Sequence, residues 1–95
     1  MPLVFARAAE RDLLLIYRHS RREFGLLQAQ KYRDRFERAF TLIQTFPAIA
    51  PERGEFTPPV RVHPVGSHVV LFRVAGERIE VIRIRHAHED WLGSA

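Results

Sequence analysis

The apolar residues of this chain change their spacing once, across the segment FPAIAPERGEFTPPV at 46–60, and that change limits the fold more than any other feature. Before it, apolar side chains recur every three or four positions. Ala9, Leu13, Ile16 and Tyr17 share one helical face, with Phe24 near its end. Gly25 marks the stop, because glycine relieves the left-handed conformation that commonly closes a helix, so the first helix is expected over Ala8 to Glu23. From Leu27 a second pattern runs through Ala29, Tyr32, Phe36, Ala39 or Phe40, Ile43 and Phe46, with Lys31, Arg33, Asp34, Arg35, Glu37 and Arg38 between them. An aromatic stripe of this kind reads as core packed on a sheet. Pro47 ends the helix for want of an amide donor, and the short connection around Gly25 folds the two helices back as an antiparallel pair.

After the segment the period is two. Val60 to His63, His68 to Val74 and Arg78 to His86 read as strands, separated by Gly66 and by Ala75-Gly76-Glu77, so three consecutive antiparallel strands are expected. Leu3 to Ala6 reads as a short strand ahead of the first helix. The segment itself, with four prolines and one glycine, is a loop rather than a domain linker. The expected fold is therefore α+β, in the order strand, helix, helix and three strands, as a single domain over residues 1–95. By alternation Val70, Phe72 and Val74 share a face with Ile82 and Ile84 and bury against the helices. The other face carries Val69, Leu71 and Arg73 beside Ile79, Val81, Arg83 and Arg85. A face half apolar and half basic marks an interface, and its cover is expected to be acidic and partly apolar.

With 46% hydrophobic and 27% charged residues the composition is globular. No apolar run approaches the roughly 20 residues of a membrane span, which argues against membrane insertion. No cysteine is present, which removes disulfides, thiolate nucleophiles and cysteine zinc sites. No signal-type N-terminus is evident, and a cytoplasmic location is the expectation. The net charge of +4 comes from fifteen Lys and Arg against eleven acids, and Lys31 is the sole lysine. Arginine's planar fork suits phosphates and carboxylates, so nucleic acid or an acidic protein partner would both fit. A GC-rich genome would produce the same bias through its codons.

The stretch VIRIRHAHEDW at 81–91 concentrates the candidate chemistry. Cleavage of RNA through its 2′-hydroxyl needs a base, an acid and cations around the pentacovalent phosphate. His86 and His88 could serve as acid or base, and Arg61, Arg73, Arg83 and Arg85 as cations. The same groups could instead grip an acidic partner. His86, His88 and Asp90 alternate as metal ligands might, but no further ligand is evident, and no metal or other cofactor is expected. His86 is expected to cap the sheet end, His88 to be solvated, and Asp90 to hold Arg83 or Arg61 by a charge-assisted bond. Trp91 and Leu92 offer an anchor for a protein target.

The ordered landmarks span nearly the whole chain. They are Ala9, Asp12, Leu13 and Ile16, Gly25 ahead of Ala29 and Tyr32, Pro47 with Arg53-Gly54, Arg61, the run Gly66-Ser67-His68-Val69-Val70-Leu71-Phe72-Arg73, and Arg83-Ile84, His86-Ala87 and Asp90. In this order they resemble the ParE/RelE toxin superfamily, and within it the ParE branch. The resemblance implies a toxin paired in a heteromeric complex with a small antitoxin, ParD-like or similar, which lays a helix and an extended stretch over the toxin surface. It further implies DNA gyrase as the target of ParE-like members, and ribosome-dependent mRNA cleavage for RelE-like ones. On the first reading there is no catalytic residue: Arg61, Arg73, Val81, Arg83 and Arg85 meet the antitoxin, while His88, Asp90, Trp91 and Leu92 meet the target. On the alternative, His86, His88, Arg61 and Arg83 are catalytic. RelE-like nucleases commonly carry a C-terminal tyrosine, whereas both tyrosines here lie in the helices and the C-terminal aromatic is Trp91. Arg85 stands where the family usually has an aliphatic residue.

Overall fold

The structure is a computed structural model that describes residues 1–89, so Asp90, Trp91 and Leu92 lie outside the described residues. Strand β1 (Leu3–Phe5) leads into helices α1 (Arg7–Phe24) and α2 (Leu26–Thr45), joined through Gly25. A single turn of 3-10 helix at Pro47–Ile49 and a two-residue strand β2 (Glu52–Arg53) interrupt the proline-rich loop. Strands β3 (Val60–Val65), β4 (His68–Ala75) and β5 (Arg78–His86) follow. Helix α1 runs one residue past each expected end, and α2 starts one residue before Leu27 and ends at Thr45. Gly25 closes α1 with its amide on the Arg21 carbonyl at 3.0 Å.

The five strands form one sheet in the order β1-β5-β4-β3-β2. The three long strands are antiparallel as expected, but β1 joins β5 in parallel, so the sheet is mixed. That pairing is possible because the helix pair serves as part of the long crossover that a parallel neighbour requires. The main core lies between α2 and the sheet, where Phe36, Phe40 and Ile43 meet Val70, Phe72 and Ile84.

Strand β5 departs from simple alternation. Leu71 pairs with Arg83 and Phe72 with Val81, which leaves Ile82 as an extra residue, a β-bulge. One inserted residue exchanges the two faces of every position on one side of it. Ile79 and Val81 therefore point to the helices together with Ile84, while Ile82 packs on the opposite face against Val69 and Leu71. This corrects the expected face assignment. Val81, nominated for antitoxin contact, has 0% of its surface exposed and belongs to the core under the helices. Val74, expected to be buried, lies exposed next to the turn at Gly76. On the outer face Phe56, Val60, Val69 and Leu71 form a second buried cluster, so the proline-rich loop itself supplies part of the cover that alternation had assigned to a partner.

Candidate functional site

Each arginine nominated on the sheet has a carboxylate partner. Arg61 Nη1 donates to the Ala50 carbonyl at 2.6 Å and Nη2 to Glu52 at 3.4 Å. Arg73 faces its cross-strand neighbour Glu80 at 3.5 Å, and Glu80 also accepts from Arg78 at 3.2 Å. Arg85 donates through Nη2 to Glu89 at 2.8 Å, while its buried Nε has no partner among the described residues.

Arg83 is engaged differently from expectation. Its Nε and Nη2 donate to the two oxygens of Asp12 at 2.8 and 3.0 Å, across 71 residues of sequence. Asp12 Oδ2 also accepts the Ile84 amide at 2.9 Å. The geometry has a plain origin. β1 pairs with β5 only as far as Val81, and the Ala6 amide then donates to the Val81 carbonyl before the chain turns into α1. Beyond that point β5 has a free edge, and Asp12 takes up the first amide that β1 would have satisfied. Asp12 thus holds Arg83 and Glu52 holds Arg61, while Asp90, the partner expected for either, lies outside the described residues.

The histidines gather at the other end of the sheet. His68 and His86 pair across β4 and β5, with ring centroids 5.3 Å apart, and His88 follows at 5.5 Å from His86. His86 Nδ1 accepts the His88 amide at 3.3 Å, and the His86 amide donates to Glu89 at 2.7 Å, so His86 does close the strand end as expected. The bulge matters here too. By restoring even-numbered residues to the helix side, it turns His86 toward α2.

Tyr32 of α2 completes the cluster. Its hydroxyl donates to the Val65 carbonyl at 3.0 Å and lies 2.6 Å from His68 Nδ1. A phenol has one proton, and the carbonyl can only accept it, so Nδ1 must carry the hydrogen shared with the tyrosine oxygen. That fixes the His68 tautomer and leaves Nε2 as an acceptor. The contact requires Gly66: at φ +58° a Cβ there would stand 2.6 Å from Tyr32 Cε1 and 2.8 Å from its hydroxyl.

Burial, and after it the His86 imidazole, hold His68 below the ordinary histidine range. The unfolded chain therefore takes up a proton at this position more readily than the folded one. The sign follows directly: stability is present above about pH 6.5 and is lost as the pH falls below it. Thermal melts between about pH 7.5 and 5.5 should show a declining Tm, and His68→Gln should make that decline shallower.

Tyr32 was legible only as part of a core stripe, and His68 only as one of several strand histidines. Of the residues proposed for catalysis, His86 and His88 are neighbours, but Arg61 and Arg83 do not join them. Arg61 pairs with Phe72, four residues along β4 from His68, which is about 13 Å at the rise of a strand. Arg83 is turned to Asp12. The helices contribute a surface that the sequence reading treated as core: an apolar groove of about 440 Å³ between α1 and α2, lined by Leu13, Ile16, Tyr17, Phe36 and Phe40 with Phe5 at its floor.

A two-helix hairpin on a mixed sheet, with paired arginines on one face and an open apolar groove on the other side, defines a small binding fold. Comparisons give it a family. The family described as "ParE toxin of type II toxin-antitoxin system, parDE" matches residues 3–91, and the chain belongs to it. Toxin ParE1 of Caulobacter vibrioides is 32% identical over 85 residues, covering 90% of this chain and 88% of that protein. A solved structure described as the chromosomal ParDE TA system from P. aeruginosa superposes with a TM-score of 0.79 at 27% identity, covering 93% of this chain and 97% of the other. Among the described residues no helix is long and apolar enough to cross a membrane.

Proposed function

We propose that this toxin acts in the cytoplasm by inhibiting DNA gyrase through protein contact, and that a cognate antitoxin, ParD-like or similar, neutralises it in a heteromeric complex. The observation that carries this reading is the state of the arginines. Phosphoryl chemistry needs cations aimed at a shared phosphate beside the acid and base, whereas Arg61, Arg73, Arg83 and Arg85 each hold a carboxylate, and none is directed at His86. Ion-paired arginines beside half-buried Val62 and Ile82 suit a protein cover instead. The antitoxin would lay an amphipathic helix in the α1–α2 groove and an extended stretch against Arg61, Arg73 and Arg85. Arg83, partly exposed, would contribute at the margin. His88, Asp90, Trp91 and Leu92 would meet the target, with Trp91 as the anchor.

The test is supercoiling and cleavage-complex formation by purified gyrase as this protein is added, with and without antitoxin. Loss of supercoiling, restored by antitoxin, is the expected result, and His86→Ala with His88→Ala should retain most of the inhibition. Gyrase left fully active at large molar excess of toxin would sink the gyrase reading.

A further inference from the structure

A cleft of about 410 Å³ opens where the α1–α2 corner meets the β3–β4 turn and the end of β5. Its walls include His19 of α1, Arg35 of α2, His68 of β4 and His86 of β5, and among the described residues no Asp or Glu lines it. The absence of acids is unusual for this surface, since the sheet arginines are each matched by one. Arg35 instead lies over the Tyr32 ring, 5.7 Å from its centroid. Glu89, after β5, is directed to the Arg85 guanidinium and the His86 amide. Among the described residues the walls of the cleft therefore carry Arg35 and imidazoles without a carboxylate, and Glu89 acts on His68 from outside them. One wall is apolar: Phe24 lines the cleft and is 68% exposed.

Charge and apolar wall together select an occupant. A free inorganic anion would leave Phe24 bare, whereas an acidic peptide with an apolar side chain beside its carboxylate would use both features. We propose that this cleft receives an acidic segment of the antitoxin, its carboxylate between Arg35 and the His68 and His86 imidazoles and its apolar neighbour against Phe24. This rests on the reading of the chain as a toxin neutralised by an antitoxin.

The grip is tuned by proton uptake. The groups facing the carboxylate are His19 from α1, Tyr32 and Arg35 from α2, His68 from β4 and His86 from β5, with His88 and Glu89 just beyond. Neutral His68 presents a lone pair at Nε2, which repels an anion, while its protonated form presents a donor. Binding a carboxylate therefore favours the charged form of His68, and the complex tightens as the pH falls.

The experiment is calorimetric titration of this chain with its cognate ParD-like antitoxin, at about pH 6 and about pH 8. Wild type should bind several-fold more tightly at the lower pH, and His68→Gln with His86→Gln should remove most of that difference. Arg35→Glu should weaken binding about tenfold or more. Arg78→Glu, the same charge change at the far end of β5, should not, and melting curves confirm that each variant is folded. Equal affinity at both pH values, or an Arg35→Glu variant that binds no worse than Arg78→Glu, overturns the assignment of this cleft while leaving the toxin reading intact. No binding of the antitoxin by the wild-type chain overturns both.

Discussion

Asp12→Ala is expected to destabilise the fold by about 3 kcal/mol, which lowers Tm by roughly 15 °C for a domain of this size. The carboxylate accepts three hydrogen bonds, two from Arg83 and one from the Ile84 amide. Removing it leaves a guanidinium and a strand-edge amide without partners at once. An orphaned backbone donor costs about 1–3 kcal/mol, and breaking a fully buried charge pair about 3–5 kcal/mol. The pair here is only partly shielded, with side-chain exposures of 13% for Asp12 and 26% for Arg83, so water recovers much of the second figure. Asp12→Asn retains an oxygen for the Ile84 amide and should lose about half as much. Denaturant melts of the two variants at neutral pH check the ranking. An alanine variant within about 0.5 kcal/mol of wild type would mean that Asp12 does not serve as the continuation of β1.

Gly66→Ala should cost a similar amount, about 3 kcal/mol, from two independent sources. The left-handed backbone at φ +58° costs a non-glycine residue about 1 kcal/mol. The new methyl would also meet the Tyr32 ring at 2.6 Å, well inside contact distance, and a ring held at both Val65 and His68 cannot move aside without giving up those bonds. Their loss adds about 1 kcal/mol each. The two sources separate in a double variant. In a Tyr32→Ala background the ring atoms nearest the methyl are gone, so Gly66→Ala should then cost mainly the backbone part, a coupling of about 2 kcal/mol. Additive losses would show that the close approach of ring and turn has no energetic weight.

These two sites mark where the sequence stopped being readable. The change from helical to alternating spacing placed both helices and all three long strands to within a few residues, because each pattern reports a face buried by its own local geometry. The pairing of Asp12 with Arg83 has no local signature: it arises because β1 ends short of β5's own length, which is a property of the assembled sheet. The bulge at Ile82 was hidden for a related reason. Ile79, Val81, Arg83 and Arg85 look like one alternating face, and only the register against β4 shows that the series breaks. The error propagated to the site, since it put buried Val81 beside the arginines and Ile82 under the helices. Tyr32 itself sits in a stripe whose other members are core, and its hydroxyl finds its use only when the β3–β4 turn arrives above it.

The sheet order carries a consequence for how the molecule comes into being. β5 is the last strand in the chain, yet it lies between β1 and β4. Leu3 must wait for Ile79. During synthesis the first strand and most of the helical core surface have no finished sheet to rest on, and no partial product that ends before β5 can close the ladder. Long-range pairing of this kind is slow, and it leaves apolar faces open until it completes. The sheet face is thus completed in one late step, when the final strand enters its middle.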